Sequence, residues 1–116
     1  MIRLFVILFG IAFIFTGVAG FIPNLFEGGL LYGYFYVDAV QNIVHLVTGL
    51  LAIMAASSAH TAMRFCQVCG IFYAALAICG FTGQSAFVFT DFNLADNVLN
   101  TVVATLNLYF GFAFRR

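Results

Sequence analysis

The chain has 116 residues, of which 65% are hydrophobic and only 7% charged, with a mean hydropathy of +1.13. A soluble domain carries about 25% charged residues; this chain has too few to cover its own surface, so its solvent is expected to be lipid. Lysine is absent and the formal net charge is zero, which leaves no electrostatic footprint for a nucleic-acid partner.

Four apolar stretches approach the roughly 20 residues that a bilayer core requires, and they predict spans over Ile2 to Phe21, Ala39 to Ala56, Ala62 to Phe81 and Ala95 to Phe114. The first opens like a secretory signal, with Arg3, an apolar run and then the small residues "GVAG". It has a counterpart later in the chain, however, and is expected to stay as a span. Gly10, Gly17 and Gly20 lie along it at spacings that let two helix backbones approach closely.

Next comes "GGLLYGYFYV" (28–37), apolar and aromatic but too short to span. Tyr32, Tyr34, Phe35 and Tyr36 suit an interfacial belt, where amphipathic rings sit at headgroup depth. This segment and "SAFVFTDF" (85–92) are expected to lie along the outer surface and cover the mouth of a bundle.

The second span opens on "DAVQNIVHLVTG", in which Asp38 and Gln41 read as a capping box. Asn42, His45 and Gly49 continue the same stripe at helical spacing. Lipid cannot satisfy an amide, so the stripe must face the bundle interior. At ~1.5 Å per residue His45 lies about 10 Å below Asp38, in the outer third of a core about 30 Å thick. The expected cluster is thus shallow and outward-facing rather than a midplane ion path. His45 could be a satisfied core residue, donating to one Asn and accepting from another. An intramembrane ionisable group is also a ligand-site hypothesis by default. A metal is disfavoured because no second His or Cys shares its depth.

The third span carries "FCQVC", with Cys66, Cys69 and nearby His60. No His follows Cys69, so this is not a haem-attachment motif, and a reducing cytoplasmic face argues against a structural disulfide. Small apolar filler is the preferred reading; a redox pair or metal site is the alternative. Gly70, Ala77 and Gly80 form its packing stripe, and Cys79 reads as a further small packing residue. The fourth span repeats the pattern of the second: Asn93 with Asp96 as caps, then Asn97, Asn100 and Ala104 on one stripe. Asp96, facing the mouth, could also bind a cation.

These correspondences form an internal repeat. "IAFIFTGVAGF" (11–21) aligns with "IFYAALAICGF" (71–81) at an offset of 60, and "DAVQNIVHLVTG" (38–49) with "NLADNVLNTVVA" (93–104) at an offset of 55. Asn42 falls on Asn97 and His45 on Asn100. The expected fold is all-α: a single integral-membrane domain over residues 1–116, a four-transmembrane-helix bundle. It is built from two parallel two-helix repeats (about 1–58 and 62–116) about a pseudo-two-fold axis along the membrane normal. Arg3, Arg64, Arg115 and Arg116 then lie on one side and Glu27, Asp38, Asp91 and Asp96 on the other. The positive-inside rule places both termini in the cytoplasm of a bacterial inner membrane.

For function, no catalytic or metal set is expected. The preferred reading is a structural or accessory subunit, packed against a larger membrane protein or further copies of itself. The alternative is a module binding a small molecule, lipid, quinone or pigment at Asn42, His45, Asp96, Asn97 and Asn100. A thiol- or quinone-linked redox protein using Cys66 and Cys69 is the weaker alternative.

"GFIP", the aromatic loop, "NIVHLVTG" and the later "DNVLN" resemble the bacterial family called domain of unknown function 4383. The resemblance covers nearly the whole chain, and N-x-x-H-L-x-x-G is its most specific part. It implies a small four-helix integral membrane protein with no established activity. The family pattern would carry a His where Asn100 stands, which argues against a symmetric His–His ligand pair within one chain.

Overall fold

The computed structural model describes residues 1–31, 33, 35, 36, 38–83 and 92–113. Four helices make up the fold: α1 (Ile2–Ala19), α2 (Ala39–Ala55), α3 (Ala59–Thr82) and α4 (Leu94–Leu108). A π-helical turn, Tyr109–Ala113, extends α4. α1 and α3 are each long and apolar enough to cross a membrane; α2, with 17 residues, and α4, with 15, are shorter.

Side-chain caps set most helix starts. Asp38 accepts from the Gln41 backbone N–H at 3.0 Å, and Asn93 and Asp96 form a complete capping box. Ser58 accepts from the Thr61 N–H at 3.2 Å, so α3 begins at Ala59, three residues before the start expected from hydropathy. Hydropathy scoring passes over a Ser–Ala–His–Thr start because it counts apolarity and not caps. Gly83 closes α3 in the left-handed region, at φ 76°.

The first outer loop holds a feature that its aromatic composition hides. Phe26–Glu27 pairs antiparallel with Leu30–Leu31 around Gly28 and Gly29, whose φ values are 59° and 80°. Two successive positive-φ residues make the tight turn that suits a hairpin, and glycine adopts it at no steric cost. Leu31 is buried, and it exchanges backbone hydrogen bonds with Phe35. The belt residues Tyr32 and Tyr34, most of the second outer loop (84–91) and Arg115 and Arg116 lie outside the described residues.

α1 packs chiefly on α2, and α3 on α4. Close approach at glycine produces both contacts. A Cβ at Gly10 would lie 2.9 Å from the Gly49 carbonyl oxygen, and one at Gly49 would lie 2.8 Å from that of Gly10. Gly70 stands in the same relation to Leu108, whose backbone N would be 2.9 Å from an added Cβ. Gly17 is covered by the Leu46 side chain. Through the interior runs an aromatic ladder on α1. Phe5 stacks on Phe110 of the π turn at 4.1 Å, and Phe9 stacks on Phe13 at 4.3 Å. Two apolar clusters result, one with Val6, Ala52 and Cys66, the other with Phe13, Cys69, Tyr73 and Val103.

Burial is reversed relative to a water-soluble bundle. Gln41, Asn42, His45, Asp96, Asn97, Asn100 and Asn107 are buried, with Asn107 at 0% exposure. Leu8, Phe15, Val68 and Phe112 stand 58%, 63%, 69% and 62% exposed, and every helix carries large apolar side chains on its outer face.

Candidate functional site

The polar side chains gather toward one end of the bundle, the mouth, where α2 and α4 begin. There the Gln41 side chain hydrogen-bonds the Asp96 carboxylate, which joins α2 to α4. Asp96 also accepts from the Asn93 backbone N–H at 3.0 Å, while the Asn93 side chain accepts from the Asp96 N–H at 2.9 Å. Asp38 is near enough to Asp96 for the two carboxylates to interact, and the Tyr36 hydroxyl donates to Asp38 at 3.4 Å. The four cap residues therefore form one connected group across the mouth. Asp96 is its hub.

Just below, Asn42 and Asn97 do not face each other. Each turns to the other helix of its own pair. Asn42 Nδ2 donates to the Gly20 carbonyl at 2.9 Å, and its Oδ1 lies where a Gly20 Cβ would be. Asn97 Oδ1 occupies the same position over Gly80. Among the described residues neither oxygen accepts an N–H or O–H bond. A Cα–H···O contact to glycine accounts for both, because it recurs with the same partners in both halves. Only glycine leaves the amide this room.

His45 is buried, and its ring meets Phe13 edge to face at 5.2 Å and 76°. Nδ1 has no hydrogen-bond partner among the described residues. The pair of amides that would satisfy both ring nitrogens is therefore not assembled around it. Asn100, its counterpart, is buried on α4 one turn below Asn97. The expected ligand set thus separates into a linked mouth (Asp96), two glycine-seated amides (Asn42, Asn97) and a deeper His45 and Asn100.

Three interior polar residues are absent from the sequence-based set. The Tyr73 and Thr48 hydroxyls bond each other at 3.1 Å, joining α3 to α2. Asn107 Nδ2 donates to the Val103 carbonyl at 2.8 Å, and its Oδ1 is unpartnered among the described residues. A comparison of the aligned halves carries the signal for all three. Tyr73 stands opposite Phe13, Thr48 opposite Val103 and Asn107 opposite Ala52, so each is the polar member of a mismatched pair. Gln67 is a fourth polar contact: its Nε2 donates to the Gly111 carbonyl at 2.9 Å while its Oε1 accepts from Arg64 at 3.2 Å.

Grooves open on the outer surface of the described residues. One, of about 380 Å³, lies between α2 and α3 and has Thr48 and Tyr73 in its lining. Another, of about 480 Å³, lies between α3 and α4 along Ala77, Thr101 and Ala104. Among the described residues no three His, Cys, Asp or Glu side chains come together as a metal set. Cys66 and Cys69, one turn apart on α3, are both free thiols buried among apolar side chains.

Fold and site together define, among the described residues, an all-α bundle of four helices with an apolar exterior and an interior that mixes apolar clusters with buried polar side chains. The chain belongs to the family described as Domain of unknown function (DUF4383), whose family model matches residues 3–113. No curated protein and no solved structure matches it significantly.

Proposed function

We propose that this chain is a multi-pass protein of the bacterial inner membrane whose four helices all span the bilayer. Both termini face the cytoplasm, and the single domain arose by duplication of a two-helix unit. The observation that carries this reading is the reversed burial: amides, an imidazole and a carboxylate inside, Leu, Ile, Val and Phe outside on all four helices. Water would expose the first set and bury the second; hydrocarbon does the opposite. The short α2 and α4 are compatible with spanning, since short spans are accommodated by bilayer thinning and flanking residues.

Within the membrane the chain acts as a structural or accessory subunit, without catalysis of its own, packing on a larger membrane protein or on further copies of itself. The Asn42 and Asn97 amides seated on glycine favour this reading, because they hold helices together and leave nothing to bind. Burial of Cys66 and Cys69 among apolar side chains likewise favours packing over thiol chemistry. Native purification followed by mass spectrometry tests it: a stoichiometric protein partner or self-assembly supports the reading, and a monodisperse monomer contradicts it. One observation favours a second reading, a binding module: buried His45 Nδ1 has no partner among the described residues. In that case an organic molecule would co-purify.

A further inference from the structure

We infer that the groove between α2 and α3 is a binding site for a lipophilic quinone, held by the Thr48–Tyr73 hydroxyl pair. The groove is walled by Ile43, Val47 and Leu51 on one side and by Val68 and Phe72 on the other. Its volume of about 380 Å³ lies within the roughly 300–1,000 Å³ of small-molecule sites. Apolar walls alone would take any hydrocarbon, so the hydroxyls carry the selectivity.

Two hydroxyls carry two hydrogens, and the Thr48–Tyr73 bond uses one, whichever oxygen donates. Four other helix threonines give theirs to a carbonyl one turn back: Thr16 to Ala12, Thr82 to Ile78, Thr101 to Asn97 and Thr105 to Thr101, all at 2.7–2.8 Å; Thr61 gives its own to the Ala55 carbonyl at 2.6 Å. Thr48 makes no such bond among the described residues; it turns to Tyr73 instead. Among the described residues one O–H is therefore left without an acceptor, on a pair of residues that line an apolar groove. A buried donor without a partner costs free energy that an incoming acceptor recovers.

Depth and shape narrow the acceptor. Thr48 is about 14 Å along α2 from Ala39 at ~1.5 Å per residue, near the middle of a core about 30 Å thick. Phospholipid esters and headgroups lie at the rim, and acyl tails offer no acceptor. What fits is an apolar molecule with a carbonyl oxygen that enters the bilayer core. Phe72 and Tyr73 meet edge to face at 5.3 Å and 87°, so an aromatic surface lines the groove beside the hydroxyls, suited to a flat quinone ring.

Because this rests on the membrane reading above, the two must be able to fail separately. Membrane insertion is checked first by alkaline extraction. The full chain in lipid nanodiscs is then labelled with a photoactivatable azido-quinone, with decyl-ubiquinone as competitor. Saturable labelling is expected on the peptides carrying Ile43 to Leu51 and Val68 to Tyr73. The double variant Thr48→Val/Tyr73→Phe copies the residues found at the equivalent Val103 and Phe13, so the fold has precedent for it. It should weaken competition by about tenfold, the worth of one hydrogen bond. Thr48→Ser keeps a hydroxyl and should keep binding, which guards against a folding artefact. An inserted chain with no saturable labelling, labelling elsewhere, or equal affinity in the double variant would overturn the site while leaving the membrane reading intact.

Discussion

Phe13 and Tyr73 meet edge to face in the core, ring centroids 5.5 Å apart and planes at 87°. They are the two positions that the 60-residue offset equates. Gln41 and Asp96, equated by the 55-residue offset, also meet each other. A two-fold axis brings equivalent positions together, and both pairs meet as the proposed duplication would have them. The departures from symmetry are coordinated as well. Thr48 and Tyr73 carry hydroxyls and bond; their counterparts Val103 and Phe13 carry none.

That coordination gives a prediction on stability. Thr48→Val or Tyr73→Phe alone strands one hydroxyl in the core and should cost ~1 kcal/mol. The double variant removes both partners and should recover most of the loss. A double-mutant cycle from thermal melts in detergent measures the coupling. Strict additivity would mean that the bond contributes nothing.

The glycine-seated amides predict a matched pair of losses. Gly20→Ala and Gly80→Ala each place a methyl on an Asn side chain with no free space. Each should destabilise by about 1–3 kcal/mol, the usual cost of overpacking. Replacement at Gly83, which has open space around it but a φ of 76°, should cost through backbone strain instead. Unfolding in graded denaturing detergent would register all three, and an unaffected Gly80→Ala would refute the Asn97–Gly80 contact.

Much of the helical architecture is legible in the sequence, because four long apolar runs, two of them opened by the caps Asp38 and Asn93, leave an all-α chain few alternatives. The hairpin at Phe26–Leu31 is masked by the aromatic content of the loop, which points to a surface belt, although Gly28–Gly29 carries the turn. The π turn leaves no mark on hydropathy. At the site, 3.6-residue periodicity could assign Asn42 and Asn97 to an interior stripe. It could not choose between a mate across the axis and a glycine on the adjacent helix, since that choice turns on helix rotation within each pair. Tyr73 gives little signal of its own, because a lone tyrosine in an apolar span looks like packing until its Phe13 counterpart is set beside it.

His45→Asn separates scaffold from ligand site. The variant copies Asn100 and gives up the ring contact with Phe13, so a loss of about 0.5–1 kcal/mol is expected. Under the accessory-subunit account the purified variant keeps the same mass-spectrometric profile as the parent. Loss of a bound organic species from a folded variant would favour the binding module instead.

At the mouth, Asp96→Ala deletes half of the capping box and the acceptor for Gln41, with an expected cost of about 1–2 kcal/mol. Asp96→Asn keeps one oxygen to accept from the Asn93 N–H, and the Gln41 amide can turn its own oxygen to the new NH2, so the variant should stay within ~0.5 kcal/mol of the parent. If the two variants melt together, Asp96 is not the hub of the mouth.

The most direct test of the central claim, four spans with both ends on the cytoplasmic side, is residue accessibility in intact cells. Glu27 and Arg64 are both exposed and lie at opposite ends of the bundle. In a background with Cys66, Cys69 and Cys79 replaced by Ala, a membrane-impermeant maleimide added from outside should label Glu27→Cys. Arg64→Cys should stay unlabelled until the membrane is opened. Labelling of Arg64→Cys in intact cells, or release of the chain from membranes at alkaline pH, would contradict it.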